Sequence, residues 1–557
     1  MAGMNEGTPI AIVVLGTGAI DTARRIQARY PGSLIHGLAS RVQADVAFTE
    51  LGPHLRELYT RNTPVVALCA AGIVIRCLAP ALADKTFEPP VLAVAEDGSA
   101  VVPLLGGLGG VNVMAREIAA ALDVVPAITT SGELRFGTCL LNPPTGYVLA
   151  DIEKGKRFVS DLLAGATTRV EGVAPWLDQV DLPRAVDARL AIRVTPHTSD
   201  VAGELIIHPR CVVAYVTAAS SEHSIIERVR HALHEHRIAP MSLAAVLAPL
   251  SMMGSVRLAE AAQALDVPLR FGALPEGFET FEHENGVVIA ITPQPVDPSP
   301  LGQARGTLTV IGLGPGSADL MVPAARHALS LANDVLGYET YVRMAGPFAP
   351  HQTLHCTDNR EEMQRARHAF ELASTGRNVV VVSSGDPGVF AMAAAVLEAL
   401  DQARDNAQWN AVELSVVPGV SAALATAARA GAPLGHDFCM LSLSDNLKPW
   451  AVIEARLQHA AQADLVMALY NPVSRARPWQ LDRALDIVRE HRTGATTVVL
   501  GRNIGRPGET LTTTTLENLR SDQVDMRTMV IVGSSTTRCF PRSDGNGDWV
   551  YTPRWYE

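Results

Sequence analysis

The sequence has few lysines, no dense basic stretch and no long apolar run, and each shortage excludes a class of protein. Its 557 residues include four lysines against 42 arginines, with a net charge of −11. Without a basic cluster, a surface that follows a phosphate backbone is not expected, so we predict no nucleic-acid partner. No segment holds 18 uninterrupted apolar residues and residues 1–9 lack the pattern of a signal peptide, so we predict a cytoplasmic protein without a membrane span.

Cysteine is also scarce. The seven cysteines are widely spread, and no two of them form a C-x-x-C pair. We therefore predict no metal site, and we expect reduced, mostly buried thiols that act as small hydrophobic side chains. The arginine excess offers bidentate donors for carboxylates, although a biased genome composition explains it as well.

The length exceeds that of a single domain core, and alternating strand and helix patterns indicate a multidomain α/β protein. The sequence 293–300 (PQPVDPSP) is too rich in proline for a helix or a central strand, and it is the clearest linker. We predict six segments: an α/β domain at 1–136, a smaller segment at 137–209, a compact α/β unit at 210–292, a linker at 293–305, and two α/β lobes at 306–410 and 411–557.

In the first domain, strand patterns at 65–69, 91–94 and 127–130 alternate with helical patterns, which predicts a parallel sheet. The first strand runs into Gly16-Thr17-Gly18, which superficially resembles a dinucleotide-binding turn. Asp21 stands where that fingerprint has its third glycine, so we favour a structural turn between strand and helix.

Three turns rich in small residues follow strand patterns in the C-terminal part: GLGPG at 312–316, SGDPG at 384–388 and VPGVS at 417–421. Small residues let a ligand approach the backbone, and together the turns predict a cleft at the carboxyl edge of a sheet. Pro315 removes a backbone N–H from the first turn, which argues against a pyrophosphate loop and a nucleotide-dependent dehydrogenase.

Residues 306 to about 556 resemble the tetrapyrrole methyltransferases and, within them, the precorrin-3B C17-methyltransferases of cobalamin synthesis. The resemblance is carried by these motifs: GYETYV at 337–342, VSSGDPGVF at 382–390, GAPLGHDF at 431–438, LSLSD at 441–445, ALYNP at 468–472, GRNIGRPGE at 501–509 and TPR at 552–554.

This resemblance implies that S-adenosylmethionine (SAM) binds in a cleft between the two lobes, that a reduced tetrapyrrole is the substrate, and that the chain forms a homodimer. The SAM contacts it implies are Pro315, Gly385, Asp386, Val389, Phe390, Ser421, Ala422, Tyr470, Asn471, Arg502 and Asn503. For Tyr470, a plain core aromatic is an equal alternative.

By the same resemblance, ring contraction starts with deprotonation of a hydroxyl at carbon 20. Asp445 and His436 are candidate bases, although a structural cap or a surface role is the alternative for each. Arg343, Arg429 and Arg475 are candidate partners of the substrate carboxylates, and the sequence does not choose among them.

Residues 10 to 291 resemble the CbiG-type cobalt-precorrin-5A hydrolases, through CAAGIVIRCLAP at 69–80, Lys85, VAEDG at 94–98 and PLLGG at 103–107. Three polar features of that family are missing. Leu108 replaces its histidine, and neither 216–220 (VTAAS) nor 252–256 (MMGSV) keeps its polar residues. We hypothesise that hydrolase activity is weak or absent.

The predicted fold class is therefore multidomain α/β, with N-terminal parallel, hydrolase-like units followed by a two-lobed tetrapyrrole methyltransferase fold. The predicted function is SAM-dependent methylation of precorrin-3B at carbon 17, with ring contraction to precorrin-4. Two alternatives stay open: a bifunctional cobalt-factor III C17-methyltransferase and cobalt-precorrin-5A hydrolase, and a non-catalytic tetrapyrrole carrier.

Overall fold

The structure is a computed structural model that describes residues 9–30, 32–82, 88–218, 224–283, 285–358, 361–474, 478–545 and 547–555. By its internal contacts the chain divides into two compact units, Met1–Ala304 (unit 1) and Arg305–Glu557 (unit 2). Each unit contains several sheets with helices between the strands, which confirms the α/β class. Within the described part of the chain, no helix is long and apolar enough to cross a membrane.

The first sheet of unit 1 has six strands in the order β3-β2-β1-β4-β5-β6. Its strands are β1 (Ala11–Val14), β2 (Leu34–Leu38), β3 (Val46–Phe48), β4 (Val65–Leu68), β5 (Val91–Val94) and β6 (Val101–Leu105). The helices of this region are α1 (Ile20–Arg29), α2 (Leu51–Thr60), α3 (Ala71–Leu78), α4 (Val111–Leu122) and α5 (Ser131–Phe136).

This sheet corrects one sequence prediction. Residues 127–130 form no strand, and the edge position belongs to β6, which pairs antiparallel with β5. After β5 the chain turns at Asp97-Gly98, where Gly98 has a φ of 75°, and returns as β6. On the outer side of β6, Pro126 forms an isolated parallel bridge with Val101. Residues 127–130 are mostly exposed, so a strand there would bury little.

Unit 1 contains two further sheets. The second has the order β7-β10-β9-β8 and the third the order β13-β12-β11-β15-β14. The second comprises β7 (Tyr147–Leu149), β8 (Thr168–Glu171), β9 (Leu190–Val194) and β10 (Glu204–Pro209), with helix α6 (Ile152–Leu163). The third comprises β11 (Val212–Val216), β12 (Leu243–Ala248), β13 (Leu269–Phe271), β14 (Glu279–His283) and β15 (Val287–Ile291), with helices α7 (Ile225–Glu235) and α8 (Val256–Ala264).

Unit 2 begins with a fully parallel sheet in the order β18-β17-β19-β16-β20. Its strands are β16 (Thr307–Gly312), β17 (Asp334–Tyr338), β18 (Thr353–Thr357), β19 (Asn378–Ser383) and β20 (Glu413–Val417). Its helices are α9 (Pro323–Leu331), α10 (Glu339–Ala345), α11 (Glu362–Ala373), α12 (Met392–Gln402) and α13 (Ala407–Ala411). The central strands are apolar throughout because helices cover both faces, with Val379 and Val381 on one face and Val380 and Val382 on the other.

A mixed sheet in the order β22-β23-β26-β24-β25 and a small sheet in the order β21-β28-β27 complete unit 2. The strands are β21 (Gly431–Ala432), β22 (Phe438–Ser442), β23 (Val466–Tyr470), β24 (Thr497–Arg502), β25 (Thr510–Thr515), β26 (Thr528–Val532), β27 (Arg538–Pro541) and β28 (Asp548–Tyr551). The helices are α14 (Ala422–Ala430), α15 (Trp450–Gln462) and α16 (Gln480–Arg489).

The cysteines are free, as the sequence predicts, but most are not buried. Cys211 is buried, Cys356 and Cys539 are exposed, and the other four are partly exposed. The two exposed thiols lie on β18 and β27, which are edge strands with one side open to solvent.

The turns after β16, β19 and β20 touch one another through their backbones. A Cβ atom added at Gly312 would lie 2.4 Å from the Gly385 carbonyl oxygen, and one added at Gly419 would lie 2.2 Å from the same oxygen. Gly314 and Gly385 exchange two backbone hydrogen bonds of 3.2 and 2.8 Å. At Gly312 and Gly419, glycine is therefore needed for contact between turns, and not, as the sequence suggested, to make room for a ligand.

Gly419→Ala tests this packing. Its methyl group would overlap the Gly385 carbonyl, so we expect the free energy of unfolding of unit 2 to fall by about 1–3 kcal/mol. The matched control is Gly107→Ala, where nothing lies within 4 Å of the added Cβ. Urea unfolding followed by tryptophan fluorescence measures both. Equal effects of the two substitutions would contradict the contact.

Candidate functional site

Asp386 joins two of the turns at the edge of the parallel sheet. Its Oδ1 accepts a hydrogen bond from the Gly388 amide at 2.8 Å, and its Oδ2 accepts one from the Gly419 amide at 3.0 Å. Charge-assisted bonds of this kind are stronger than those between neutral groups. Asp386, predicted as a SAM contact, thus holds the turn after β19 against the turn after β20.

The turn after β20 leads into α14, whose first residues face the same edge. Ser421 caps the helix, since its Oγ accepts a hydrogen bond from the Leu424 amide at 3.3 Å. Ala422 is the first residue of the helix, and the next amide, that of Ala423, donates to the Tyr470 hydroxyl at 3.2 Å. Tyr470 therefore connects the end of β23 with the start of α14, and it also packs against a core cluster of unit 2.

The ends of β22, β23 and β24 lie at one edge of the mixed sheet. β22 runs parallel to β23, and both β23 and β24 pair antiparallel with β26, so the three share a direction. Asn471 and Asn503 follow β23 and β24 directly, and each has a φ of 52°. Asparagine tolerates this left-handed conformation better than most residues, which explains the residue type at both strand ends.

Side-chain contacts hold both strand ends in place. The Asn471 Nδ2 donates to the Ser442 Oγ at 3.0 Å, and the Arg502 Nε lies 2.9 Å from the Asp525 Oδ2. The last residue of β22 is therefore fixed to the residue that follows β23.

Phe390 has an unusual backbone. Its φ is 54°, although it is a bulky residue, and its side chain is 51% exposed. The ring centroid lies 5.3 Å from that of Tyr470 in an edge-on arrangement. Phe390 lies in the turn between β19 and α12, and a strained, exposed aromatic residue is typical of a functional site, because the surrounding structure has to hold it there.

The turn after β24 brings the two sheet edges together. A Cβ added at Gly505 would lie 2.9 Å from the Pro315 Cγ. The Arg506 Nε donates to the buried Pro315 carbonyl at 2.6 Å, and its Nη2 donates to the Ser384 Oγ at 3.1 Å. The sequence analysis missed Arg506, although its place after a strand, in the motif GRNIGRPGE, was the available signal.

The structure places all eleven predicted SAM contacts at two sheet edges of unit 2 that meet at the Gly505-Arg506 turn, and we call the space between these edges the cleft. On the side of the parallel sheet are Pro315, Gly385, Asp386, Val389, Phe390, Ser421 and Ala422, and on the side of the mixed sheet are Tyr470, Asn471, Arg502 and Asn503.

The two predicted bases lie at opposite ends of β22. Asp445 follows the carboxyl end, near Asn471, and its Oδ2 accepts a hydrogen bond from the buried Gln480 at 3.4 Å. His436 precedes the amino end, and its Nδ1 accepts a hydrogen bond from the Asp437 amide at 2.7 Å. Five strand residues span roughly 13 Å from the first to the last. The structure does not bring the two side chains together.

Two of the three arginines proposed for substrate carboxylates already have an acidic partner. The Arg343 Nη2 lies 2.5 Å from the Glu339 Oε1, and the Arg429 Nε lies 2.8 Å from the Glu509 Oε1. Arg343 also lines a cavity of about 500 Å³ beside the first turns of α10. Arg475 lies outside the described residues.

Unit 1 holds a cavity of about 510 Å³ at the carboxyl ends of β1, β4 and β5, and its charged lining residues are Arg41 and Glu96. Leu108, which replaces the expected histidine, follows β6 at the opposite edge of that sheet. Lys85, Ala219 and Ser220 lie outside the described residues.

Two family models match the chain. Residues 307–520 match the family described as Tetrapyrrole (Corrin/Porphyrin) Methylases. Residues 53–133 match the family described as Cobalamin synthesis G N-terminal. Both resemblances predicted from the sequence are confirmed over these ranges.

Similar proteins cover the same share of the chain. A precorrin-3B C(17)-methyltransferase of Sinorhizobium sp is 51% identical over 251 residues, 45% of this chain and 97% of that protein. CobIJ of Mycobacterium tuberculosis is 48% identical over 255 residues, which is 48% of its length, so the match spans about half of it. A probable cobalt-factor III C(17)-methyltransferase of Salmonella typhimurium is 41% identical over 249 residues, 45% of this chain and 99% of that protein.

Among solved structures, that of the methyltransferase CobJ is 48% identical in sequence. It covers 44% of this chain and 100% of the solved chain, with a TM-score of 0.42.

The strain at Phe390 predicts a difference between two substitutions. Glycine accepts a φ of 54° without the steric cost that alanine bears, so Phe390→Gly is expected to be more stable than Phe390→Ala by about 1 kcal/mol. Urea unfolding of the two variants measures this difference. A more stable alanine variant would show that the backbone at this position is not strained.

Proposed function

We propose that this chain, which belongs to the tetrapyrrole methylase family, uses unit 2 to transfer a methyl group from SAM to carbon 17 of precorrin-3B. Ring contraction to precorrin-4 accompanies the transfer. The observation that carries the proposal is the 51% identity to the Sinorhizobium precorrin-3B C(17)-methyltransferase over 97% of its length. The cleft between the two sheet edges of unit 2 supports it independently.

The side chains of the cleft fit SAM. The exposed Phe390 ring and the Tyr470 ring offer apolar and π surface to an adenosine group and to a sulfonium cation. Gly385, Ser421 and Ala422 offer backbone: a Cβ at Gly385 would find its nearest neighbour, the Ser421 Cα, at 3.6 Å. Bound SAM supplies a methyl group already activated by its sulfonium, so the protein has to orient the substrate more than to activate it.

We assign the role of base to Asp445 rather than to His436. Asp445 lies on the loop after β22, at the sheet edge that forms the cleft, whereas His436 lies at the other end of that strand. Asp445 would accept the proton of the hydroxyl at carbon 20. The buried amide of Gln480, which donates to Asp445, would keep the carboxylate oriented.

For unit 1 we propose a hydrolase-like region with weak or no lactone hydrolysis. Leu108 cannot transfer a proton, and it stands where the family has histidine. It lies at the sheet edge opposite the cavity, whose charged lining residues are Arg41 and Glu96.

A cobalt-containing substrate is the second candidate, and the observation behind it is the 41% identity to the Salmonella protein named probable cobalt-factor III C(17)-methyltransferase. The homodimer expected from the family stays a prediction.

One experiment separates these functions. The full chain is incubated with SAM and either precorrin-3B or cobalt-factor III, and products are identified by liquid chromatography and mass spectrometry. We expect S-adenosylhomocysteine (SAH) and a methylated product from precorrin-3B. A parallel incubation supplies the lactone substrate of the CbiG-type hydrolases, cobalt-precorrin-5A, and we expect little or no acetaldehyde from it. Phe390→Gly, which lacks the ring, is expected to lower turnover about tenfold or more, equivalent to ~1.4 kcal/mol. Arg404→Gln, an exposed change beside Asp401, serves as the control.

Each arm has an outcome against the proposal. Turnover of cobalt-factor III alone would favour the second candidate, and absence of SAH with both substrates would favour the non-catalytic carrier. Acetaldehyde release at the rate of a full hydrolase would contradict the proposal for unit 1.

A further inference from the structure

Arg506 is a partly buried cation in the cleft of unit 2 that pairs with neutral oxygens. Its Nε donates to the Pro315 carbonyl at 2.6 Å and its Nη2 to the Ser384 hydroxyl at 3.1 Å. Among the described residues, no carboxylate lies within ion-pair distance of its guanidinium. The protein therefore holds a positive charge in the cleft without neutralising it.

Three other arginines of unit 2 differ in this respect. Arg343 pairs with Glu339, Arg429 with Glu509, and Arg502 with Asp525. Burial lowers the pKa of Arg506, the nearby Tyr341 hydroxyl opposes that shift slightly, and Arg527 adds to it by repulsion. A partly desolvated charge is costly unless an opposite charge meets it, so this position favours an anionic ligand.

The guanidinium is also held in a fixed position. A Cβ added at Gly316 would lie 2.6 Å from the Arg506 Cγ and 2.8 Å from its Nε, so the stem lies directly against the turn after β16. The two hydrogen bonds tie it to the turns after β16 and β19. In the described part of the chain the Nη1 group has no protein acceptor, and it remains available to a ligand.

We propose that Arg506 binds a carboxylate of a bound reactant in the cleft of unit 2. A planar guanidinium whose position is already fixed suits a carboxylate, because little side-chain entropy is lost on binding. The inference rests on the proposed methyl transfer, which offers two sources of a carboxylate. One is the amino-acid end of the methyl donor, and the other is a side chain of the tetrapyrrole.

The test compares three ligands on the full-length wild-type chain and on Arg506→Gln, with Arg404→Gln as the matched control. SAH carries the amino-acid carboxylate, 5′-methylthioadenosine lacks it, and uroporphyrin III is a stable tetrapyrrole polycarboxylate. Isothermal titration calorimetry or fluorescence quenching gives the dissociation constants.

If the donor carboxylate binds Arg506, the glutamine variant should weaken SAH binding at least tenfold and change methylthioadenosine binding less than threefold. If a tetrapyrrole carboxylate binds, uroporphyrin III binding should weaken at least tenfold while both adenosine ligands keep their affinities. Either result, or both together, supports the inference and names the source. Equal weakening of all three ligands would assign Arg506 only a structural role between the turns, and unchanged binding of all three would also overturn the inference.

Arg506→Lys keeps the test decisive if the glutamine variant does not fold. Lysine retains the charge without the planar fork, so the affected ligand should bind more weakly than to the wild type, while a ligand that does not contact residue 506 keeps its affinity. Thermal unfolding checks that each variant is folded. Failure of the wild type to produce SAH during turnover would overturn the proposed function but would leave the ligand comparison valid.

Discussion

The backbone contact among the three turns at the carboxyl edge of the parallel sheet is the constraint on which the rest of unit 2 depends. Gly312, Gly385 and Gly419 meet so closely that no side chain fits at the first or the last of them. The Asp386 carboxylate fixes this arrangement, because it accepts hydrogen bonds from the Gly388 amide in its own turn and from the Gly419 amide in the turn after β20. These contacts bring the start of α14 and the exposed ring of Phe390 to one side of the cleft.

The mixed sheet contributes the other side through strand ends that are equally constrained. Asn471 and Asn503 adopt left-handed backbone conformations, and the Tyr470 hydroxyl accepts a hydrogen bond from a backbone amide in the first turn of α14. The Arg506 guanidinium then joins the two sheet edges, because it donates hydrogen bonds to the Pro315 carbonyl and to the Ser384 hydroxyl. The cleft is therefore built from positions whose backbones are fixed before any ligand arrives, which is what catalysis by orientation needs.

The sequence predicted much of this site because strand patterns that end in small residues converge at one edge of a sheet. It could not predict that Gly312 and Gly419 serve backbone contacts, since a close approach depends on turns far apart in the chain. Nor could the sequence distinguish Asp445 from His436 as the base. The two residues are nine positions apart, and only the bounds of β22 show that they lie at opposite ends of one strand. Arg506 was missed for a similar reason: its contacts with the Pro315 carbonyl and the Ser384 hydroxyl join turns that lie far apart in the chain. In unit 1, residues 127–130 form no strand because they stay mostly exposed, which their apolar pattern does not show.

The central claim is that the strand-end cleft of unit 2 is the ligand site of the chain. Hydrogen–deuterium exchange of the full-length protein with and without SAH tests it most directly. The account predicts slower exchange on binding at 313–317, 385–391, 418–424, 470–473 and 503–506, with little change at the cavity of unit 1. Protection confined to the cavity segments of unit 1, or none in unit 2 at saturating ligand, would contradict it.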